Sequence, residues 1–361
     1  MDGAPGRGQS PSEQHDDDEA ELRAWLRAEG IDPDGPPPAA AGWIEADASD
    51  RVLARGGHLS ARDVAESAGV DLEVVVRGFH DLGVAVPDVD APHFTDLDVV
   101  LVQRMTRATG LGIVRGPDLL RVVAGAMERI AEAAVAVYVQ GPERESWRRT
   151  ASAFELVRGN ARATELALEI GNGLAAIFRH HMRQTVARQR IMQEGVTVRE
   201  LARLAIGFVD LVGSTAMQAV LDPAALGEQV SRFEARAFDV TTAGDGRLVK
   251  FIGDEIMVAA IDPVAGVRIV GDLVAAFTED GTQPRGGLVF GEVLFRHGDY
   301  YGPVVNLAAR LVDAAIPGEV LVDASVVRAL EGGGPPFEPA GRRMLKGFDT
   351  PVAVWSLGSP G

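Results

Sequence analysis

The chain has no cysteine among its 361 residues, which excludes disulfide bonds and thiolate metal sites. A long hydrophobic run is also missing, because the most apolar helical stretch, Val122–Val139, is interrupted by Glu128, Arg129 and Glu132. Neither this stretch nor the N-terminal region has the uncharged apolar core of a membrane span or a signal peptide. The sequence therefore predicts a cytoplasmic protein with no membrane span.

Positive charge is scarce as well, since 35 lysines and arginines stand against 52 acidic residues and the net charge is −17. Nucleic acids and anionic membranes both carry negative charge, so we expect neither to be a general partner of this chain. The apolar fraction of 46% is that of a globular protein. The length allows about two domains, each with its own core.

The N-terminal half is predicted to be helical. Residues 1–42 form an acidic, proline-rich tail for which we expect disorder, and residues 43–185 carry the amphipathic patterns of an all-helical regulatory domain. Residues 43–98 have the spacing of a bacterial DNA-binding helix pair. However, the stretch from Asp50 to Asp90 contains eight acidic residues and four arginines, and a DNA reader needs a basic face. A helical packing module is the favoured interpretation.

Several helix ends are marked in this half. Ser60 is a predicted N-cap whose helix stops at Gly69, and Thr95 is a second predicted N-cap with Asp98 in the first turn. Two long helices are predicted further on, over residues 117–140 and 144–190. Glycines near residues 159 and 171–173 leave open whether the second is two helices or one kinked helix.

His180 and His181 lie near the predicted end of this helical region. One interpretation is a solvated helix end, where a cationic histidine favours the C-terminal dipole. The other is a pH-sensitive hinge, because histidine titrates in the physiological range. Adjacent residues point to different helix faces, which disfavours a shared metal ion. Residues 186–200 are predicted to be a charged linker to a catalytic domain over residues 201–361.

The C-terminal domain begins with residues that are typical of a phosphate- and metal-binding site. An apolar strand ends at Asp210, and the small residues Gly213, Ser214 and Thr215 follow before a helical pattern. Backbone N–H groups at such a helix start attract phosphate, and a carboxylate at the end of the strand is a candidate cation ligand beside it. Taken alone, Ser214 or Thr215 is equally a helix cap.

Two further patterns follow along the chain. Gly253 and Asp254 form a predicted hairpin turn between two apolar strands, which holds a carboxylate rigidly at the tip. Asn306 and Arg310 are four residues apart on a predicted helix, so they share one face that suits a sugar and a polyphosphate. In isolation, each pattern is also typical of an ordinary turn or a surface pair.

The three patterns together resemble the class III nucleotidyl cyclase catalytic domain. They read Phe-x-Asp-x-x-Gly-Ser-Thr, then Lys-x-x-Gly-Asp, then Asp-x-x-Gly-x-x-Val-Asn-x-Ala-x-Arg, and they lie within residues 201–357. The resemblance implies an adenylate cyclase that forms cyclic AMP and pyrophosphate from ATP. The helical half resembles, less specifically, the regulatory domain that precedes the catalytic domain in some actinobacterial cyclases. The implied fold class is α+β, a mixed sheet with helices on one side behind an all-helical domain.

The resemblance also implies roles for individual residues. Asp210 and Asp254 match the ligands of two Mg²⁺ or Mn²⁺ ions, and Lys250 and Asp299 match the residues that read the adenine edge. Asn306 matches the residue that orients the ribose, and Arg310 matches the residue that stabilises the transition state. The family divides these residues between two subunits, so a homodimer with two equivalent sites is expected. The loop formed by Gly213, Ser214 and Thr215 is expected to bind the phosphates, and Lys346 is expected to contact a phosphate as well. A small apolar ligand is expected in the helical bundle.

Three alternatives remain. A diguanylate cyclase shares the Gly-Asp-Glu at residues 253–255, but Ile252 and Ile256 replace the glycine and phenylalanine of its signature. The second is a nucleotide-sensing DNA-binding regulator with an inactive cyclase-like domain, which the acidic helix pair disfavours. The third is a catalytically dead cyclase domain, which is disfavoured because every required position is filled.

Overall fold

The computed structural model describes residues 20–21, 23–28, 52–53, 57–112, 118–138, 153–192, 201–213, 221–331 and 333–358. The chain divides into two compact units between Arg179 and His180. Most of the predicted tail, residues 1–42, lies outside the described residues, as do residues 193–200 of the predicted linker.

Five helices of eight residues or more precede the sheet in the described chain. They are α1 (Ala61–Ala68), α2 (Leu72–Asp81), α3 (Asp96–Gly110), α4 (Asp118–Tyr138) and α5 (Ala153–Met192). Helix α1 begins at the predicted cap, where Ser60 Oγ accepts from the Asp63 N–H at 3.1 Å, and ends at Gly69 with φ 68°. Helix α3 begins after Thr95, whose N–H donates to Asp98 Oδ2 at 2.8 Å. Both predicted helix starts are confirmed.

Helix α5 is a single element of 40 residues that continues through Gly159, Gly171 and Gly173. A glycine inside a helix costs only about 1 kcal/mol relative to alanine, which a long helix tolerates. His180 and His181 therefore lie in the helix interior, exposed to solvent, with residues 186–192 still helical after them. The interpretation of these histidines as a helix end is wrong, because the dipole acts only within the last turn.

The first unit has a small core between α1, α2 and the start of α3. It contains Val64, Val75, Phe79 and Phe94, and the two phenylalanine rings lie 4.7 Å apart. An apolar cavity of about 620 Å³ lies beside it, lined mainly by residues of α2 and α3 together with Leu120 of α4.

The second unit contains the sheet and its helices. Its strands are β1 (Leu201–Leu211), β2 (Arg247–Ile252), β3 (Glu255–Ala260), β4 (Pro284–Arg296), β5 (Asp299–Tyr301), β6 (Val320–Asp323), β7 (Phe337–Arg343) and β8 (Val352–Leu357). Its helices are α6 (Pro223–Ala243), α7 (Pro263–Glu279), α8 (Pro303–Ala314) and α9 (Ala324–Ala329). The predicted strand ending near Asp210, the hairpin around Asp254 and the helix that carries Asn306 and Arg310 are all present. Strand β5 and helix α9 are short elements that the sequence patterns did not predict.

The strand order is β2-β3-β1-β4-β6-β8-β7, with β5 paired to β4. Strand β1 is antiparallel to both β3 and β4, and β4 is parallel to β6. The sheet is therefore mixed, as expected for the α+β class. Strand β1 is an interior strand, between β3 and β4, and is buried through most of its length. Asp210 lies near its end and is only partly buried.

Helices cover both faces of this sheet, so the expectation of helices on one side is wrong. The alternation of side chains along β1 sends Ala205 and Val209 into a core with α7. Leu204 and Ile206 enter a second core on the opposite face, with α8. Both sets are apolar because a central strand buried on two faces has no polar side.

Close packing of these helices depends on glycines in the strands. A Cβ on Gly287 would lie 2.5 Å from the backbone nitrogen of Val312 in α8, and a Cβ on Gly207 would lie 2.4 Å from Val270 Cγ2 in α7. A side chain at Gly287 would displace the backbone of α8, whereas one at Gly207 would require Val270 to shift. Among the described residues, no helix combines the length and the hydropathy needed to cross a membrane.

Candidate active site

Three charged residues lie side by side where strands β1, β3 and β4 meet. Asp210 on β1 is opposite Glu255 on β3 and opposite Arg285 on β4. Asp254 occupies the two-residue turn just before Glu255, after Gly253 with φ 66°. The hairpin predicted around Asp254 is thus present. It joins β2 to β3, and β3 pairs with β1, the strand that carries Asp210.

Arg285 is the direct partner of Asp210. Its Nε and Nη2 donate to Asp210 Oδ2 at 2.8 and 2.6 Å. Its Nη1 donates to the carbonyl oxygen of Asp313 at 2.9 Å, which ties the pair to the end of α8. Both side chains are mostly buried, with 23% and 17% of their surfaces exposed, so the pair is shielded from water. Sequence patterns did not reveal this residue, because the pairing depends on a strand register between positions 75 residues apart.

The surroundings of Glu255 disfavour the ionised form of its carboxyl group. Burial raises its pKa to about 7, helped by the negative charges of Asp210, Asp313 and Asp254, while Arg285 acts in the opposite direction. The carboxylates of this corner of the sheet are therefore close enough to repel one another. An added cation would relieve that repulsion.

The donor set suits a hard divalent cation. Asp210 and Asp254 offer carboxylate oxygens, the ligands that Mg²⁺ and Mn²⁺ prefer. Mg²⁺ commonly takes one or two carboxylates and completes its shell with water and substrate phosphates. The described part of the chain contains no group of three or more His, Cys, Asp or Glu side chains arranged to hold a metal ion.

Lys250 and Asp299, predicted to act together, are in direct contact. Lys250 Nζ donates to Asp299 Oδ2 across 49 positions of sequence. The other oxygen, Oδ1, accepts from the Tyr300 N–H at 2.8 Å. A register shift in β2 between Leu248 and Lys250 contributes to this arrangement, because a bulge changes the direction of the side chains that follow it.

Asn306 and Arg310 lie in the first two turns of α8, which begins with Pro303 after Gly302 at φ 130°. Asn306 is exposed. Arg310 Nη1 donates to Asp313 Oδ2 at 2.7 Å, and the Arg310 side chain is 38% exposed. The predicted spacing of four along one helix is present, so the two side chains share a face.

The structure describes only two of the four residues predicted to contact phosphate. Gly213 lies in the turn after β1 with φ 81°, whereas Ser214 and Thr215 lie outside the described residues. Lys346 is exposed in the connection between β7 and β8.

The sequence is similar to several actinobacterial proteins. It is 37% identical over 306 residues to an uncharacterized protein of Mycobacterium tuberculosis, covering 81% of this chain and 77% of that protein. It is 31% identical over 314 residues to an adenylate cyclase of Glutamicibacter nicotianae, covering 78% and 73%. It is 30% identical over 361 residues to a pH-sensitive adenylate cyclase of Mycobacterium tuberculosis, covering 94% and 87%.

No family model matches the chain. Among solved structures, an adenylyl cyclase of P. aeruginosa, CyaB, aligns with a TM-score of 0.40 and 22% identity, covering 45% of this chain and 96% of that one. The guanylyl cyclase Cya2 aligns with a TM-score of 0.39 and 23% identity, covering 44% and 95%.

Proposed function

The chain belongs to the class III adenylate cyclase family, and from this membership we propose that it converts ATP to 3′,5′-cyclic AMP and pyrophosphate. In this reaction the ribose 3′ oxygen attacks the α-phosphorus in line and pyrophosphate leaves. The relatives named adenylate cyclase align over about three quarters or more of this chain, so the similarity extends across both the helical and the sheet-containing parts.

The observation that carries the choice of ATP is the contact between Lys250 and Asp299. Adenine presents an acceptor at N1 and a donor at its 6-amino group, so an ammonium and a carboxylate satisfy both. Guanine presents the reverse order, a donor at N1 and an acceptor at O6. With Lys250 facing N1 and Asp299 facing the 6-amino group, guanine would place donor against donor and acceptor against acceptor, so the site would reject it strongly.

Asp210 and Asp254 are the proposed ligands of two divalent ions, Mg²⁺ or Mn²⁺. When bound, the ions supply Lewis-acid activation of the 3′ hydroxyl and neutralise the polyphosphate. Asp210 is oriented by Arg285, whose Nη2 donates to Asp210 Oδ2 at 2.6 Å. Asp254 is held by a tight turn rather than by a long loop, which limits its freedom.

The remaining roles are assigned to residues on the loop and on α8. The backbone of Gly213, Ser214 and Thr215 is proposed to hold the β- and γ-phosphates, with Lys346 as an additional contact. Asn306 orients the ribose. Arg310 stabilises the negative charge of the transition state, a contribution on the order of a thousandfold in rate.

Two equivalent sites in a homodimer are part of this proposal, with Asp210 and Asp254 from one protomer and Asn306 and Arg310 from its partner.

The helical unit is proposed to regulate the catalytic unit. Its apolar cavity of about 620 Å³ offers room for a small apolar ligand.

A regulatory response to pH is the second element of this proposal, since one relative is named pH-sensitive and His180 and His181 lie at the division between the units. The pH–rate profile of the full chain, compared with a variant in which both histidines are replaced by glutamine, tests it. Superimposable profiles would contradict it.

The direct test of the activity is product identification. The full chain is incubated with ATP and Mn²⁺, and the products are separated by chromatography. Cyclic AMP and pyrophosphate in equal amounts are expected. ADP and inorganic phosphate, or no conversion of ATP despite binding, would contradict the proposal, and the second outcome would favour the nucleotide-sensing alternative. A gel shift with random-sequence DNA distinguishes that alternative further.

A further inference from the structure

Arg247, at the start of β2, reaches the hairpin that carries Asp299. Its Nη1 donates to Tyr300 Oη at 3.1 Å, and its Nη2 donates to the carbonyl oxygen of Gly298 at 2.5 Å. The guanidinium also lies over two rings, 5.4 Å from the centroid of Tyr300 and 6.0 Å from that of Phe295. One side chain therefore makes four contacts with the β4–β5 hairpin.

The two residues that accept hydrogen bonds from Arg247 are the sequence neighbours of Asp299. Gly298 precedes it and Tyr300 follows it, and Arg247 holds both. The hairpin turn itself is tight, because Arg296 pairs with Asp299 across only two residues, His297 and Gly298, with φ of 55° and 79°. Small rotations in such a turn move the next side chain directly. The position of the Asp299 carboxylate thus depends on what fixes the hairpin.

The sheet itself does not join β2 to this hairpin. Strands β3 and β1 lie between β2 and β4 in the strand order. The connection runs through side chains: the Lys250–Asp299 ion pair and the contacts of Arg247. If Lys250 and Asp299 read adenine, each must direct a hydrogen bond to the base, and their mutual ion pair weakens when the nucleotide binds. The contacts of Arg247 involve neither reading group and persist.

We propose that Arg247 is a positioning residue for base selection, which fixes the β4–β5 hairpin so that Asp299 stays aligned with Lys250 when the base is bound. This inference rests on the proposed function of Lys250 and Asp299. The role needs the planar fork of arginine, which reaches a phenol oxygen and a carbonyl at once while lying over the rings; a lysine ammonium cannot do all three.

The test compares steady-state kinetics of the full chain with ATP and with GTP in Mn²⁺. The variants are Arg247→Met, which keeps the apolar stem, and Tyr300→Phe, which removes only one acceptor. Arg236→Met is the matched control, because Arg236 Nη2 donates to Glu279 Oε2 at 3.3 Å, a contact between α6 and the end of α7 that involves neither β2 nor the β4–β5 hairpin. The ratio of kcat/KM for ATP to that for GTP is the readout.

Arg247→Met is expected to lower this ratio about tenfold, through a higher KM for ATP, because misalignment weakens the adenine contacts and leaves guanine binding almost unchanged. Tyr300→Phe is expected to lower it about two- to threefold. The control should leave the ratio at the wild-type value. A purely structural role would lower activity on both nucleotides equally and would not move the ratio.

The proposal is overturned if the active wild-type chain and both variants have the same ATP-to-GTP ratio. That failure is distinguishable from failure of the proposed function. If the wild-type chain itself makes no cyclic AMP from ATP, the proposed function is contradicted before any variant is compared.

Discussion

Glu255 is the residue whose ionisation the fold opposes, with burial as the larger cause and three neighbouring aspartates as the second. Its pKa is raised from 4.5 to about 7, so the folded chain holds this proton more tightly than the unfolded chain does. The resulting stabilisation is complete below about pH 4.5 and is lost as the pH rises through about 7. A bound divalent cation would offset the negative charges, so this dependence belongs to the metal-free protein.

Replacement of Glu255 with glutamine should therefore stabilise the metal-free chain at alkaline pH. In EDTA, we expect the melting temperature of Glu255→Gln to exceed that of wild type by a few degrees at pH 8, with the difference shrinking as the pH falls towards 4.5. Thermal unfolding from pH 4.5 to 8.5 measures it. Glu292→Gln, an exposed carboxyl on β4, is the control and should follow the wild type. A constant difference at all pH values would contradict the assignment.

Single residues also show what the sequence could and could not reveal. Asp210, Lys250 and Asp254 are recognisable because each lies in a short local motif. Arg285 carries no local motif, and its contact with Asp210 exists only after β1 and β4 pair in one register. The role of Arg247 is not recognisable from the sequence for the same reason, since its partners in the β4–β5 hairpin lie more than 50 positions away.

At the scale of elements, the caps and the hairpins follow from local chemistry. Asp222 caps α6 and accepts from the N–H groups of Ala224 and Ala225, both at 2.9 Å. The two faces of the sheet do not follow from local chemistry. Because β1 is apolar on both sides, its pattern gives no sign of which helix covers which face. The sequence likewise left open whether α5 is one helix or two, because glycines within it are compatible with either, and the structure has one continuous element.

Strand β4 and helix α8 depend on a close approach at Gly287. A methyl group there would meet backbone atoms of α8, at 2.5 Å from Val312 N and 2.7 Å from Ala308 O. Backbone cannot rotate aside as a side chain can, so Gly287→Ala should displace α8 together with Asn306 and Arg310. We expect a loss of about 1–3 kcal/mol in the free energy of unfolding and at least a tenfold loss of activity.

Chemical denaturation and the cyclase assay measure these two effects. Gly227→Ala is the control, because Gly227 lies inside α6 with no neighbour within 4 Å of an added Cβ. That variant should be as stable as wild type or more stable by up to about 1 kcal/mol. Full activity in Gly287→Ala would show that the placement of α8 is not critical.

In the proposed homodimer, the two chains share each active site. Asp254→Ala and Arg310→Ala should each be inactive alone, because each removes one half of both sites. Mixed in equal amounts and allowed to exchange, they should recover about a quarter of the wild-type activity, since half of the dimers are mixed and each of these has one intact site.

A second mixture serves as the control for this experiment. Asp210→Ala and Asp254→Ala remove the same half of the site, so their mixture should stay inactive. Recovery in the control, or none in the mixture of Asp254→Ala with Arg310→Ala despite exchange of subunits, would contradict the shared site.

We propose that two carboxylates, Asp210 near the end of β1 and Asp254 in the turn after β2, hold the divalent ions on which the cyclase reaction depends. The most direct measurement is cyclic AMP formation from ATP across a Mn²⁺ titration, with the full chain and its Asp254→Asn variant. Asp245→Asn is the control, because Asp245 is an exposed turn residue with φ 60°, a conformation that asparagine also adopts. We predict robust product from wild type and Asp245→Asn, and at least a hundredfold less from Asp254→Asn. Equal rates in all three proteins would contradict the claim.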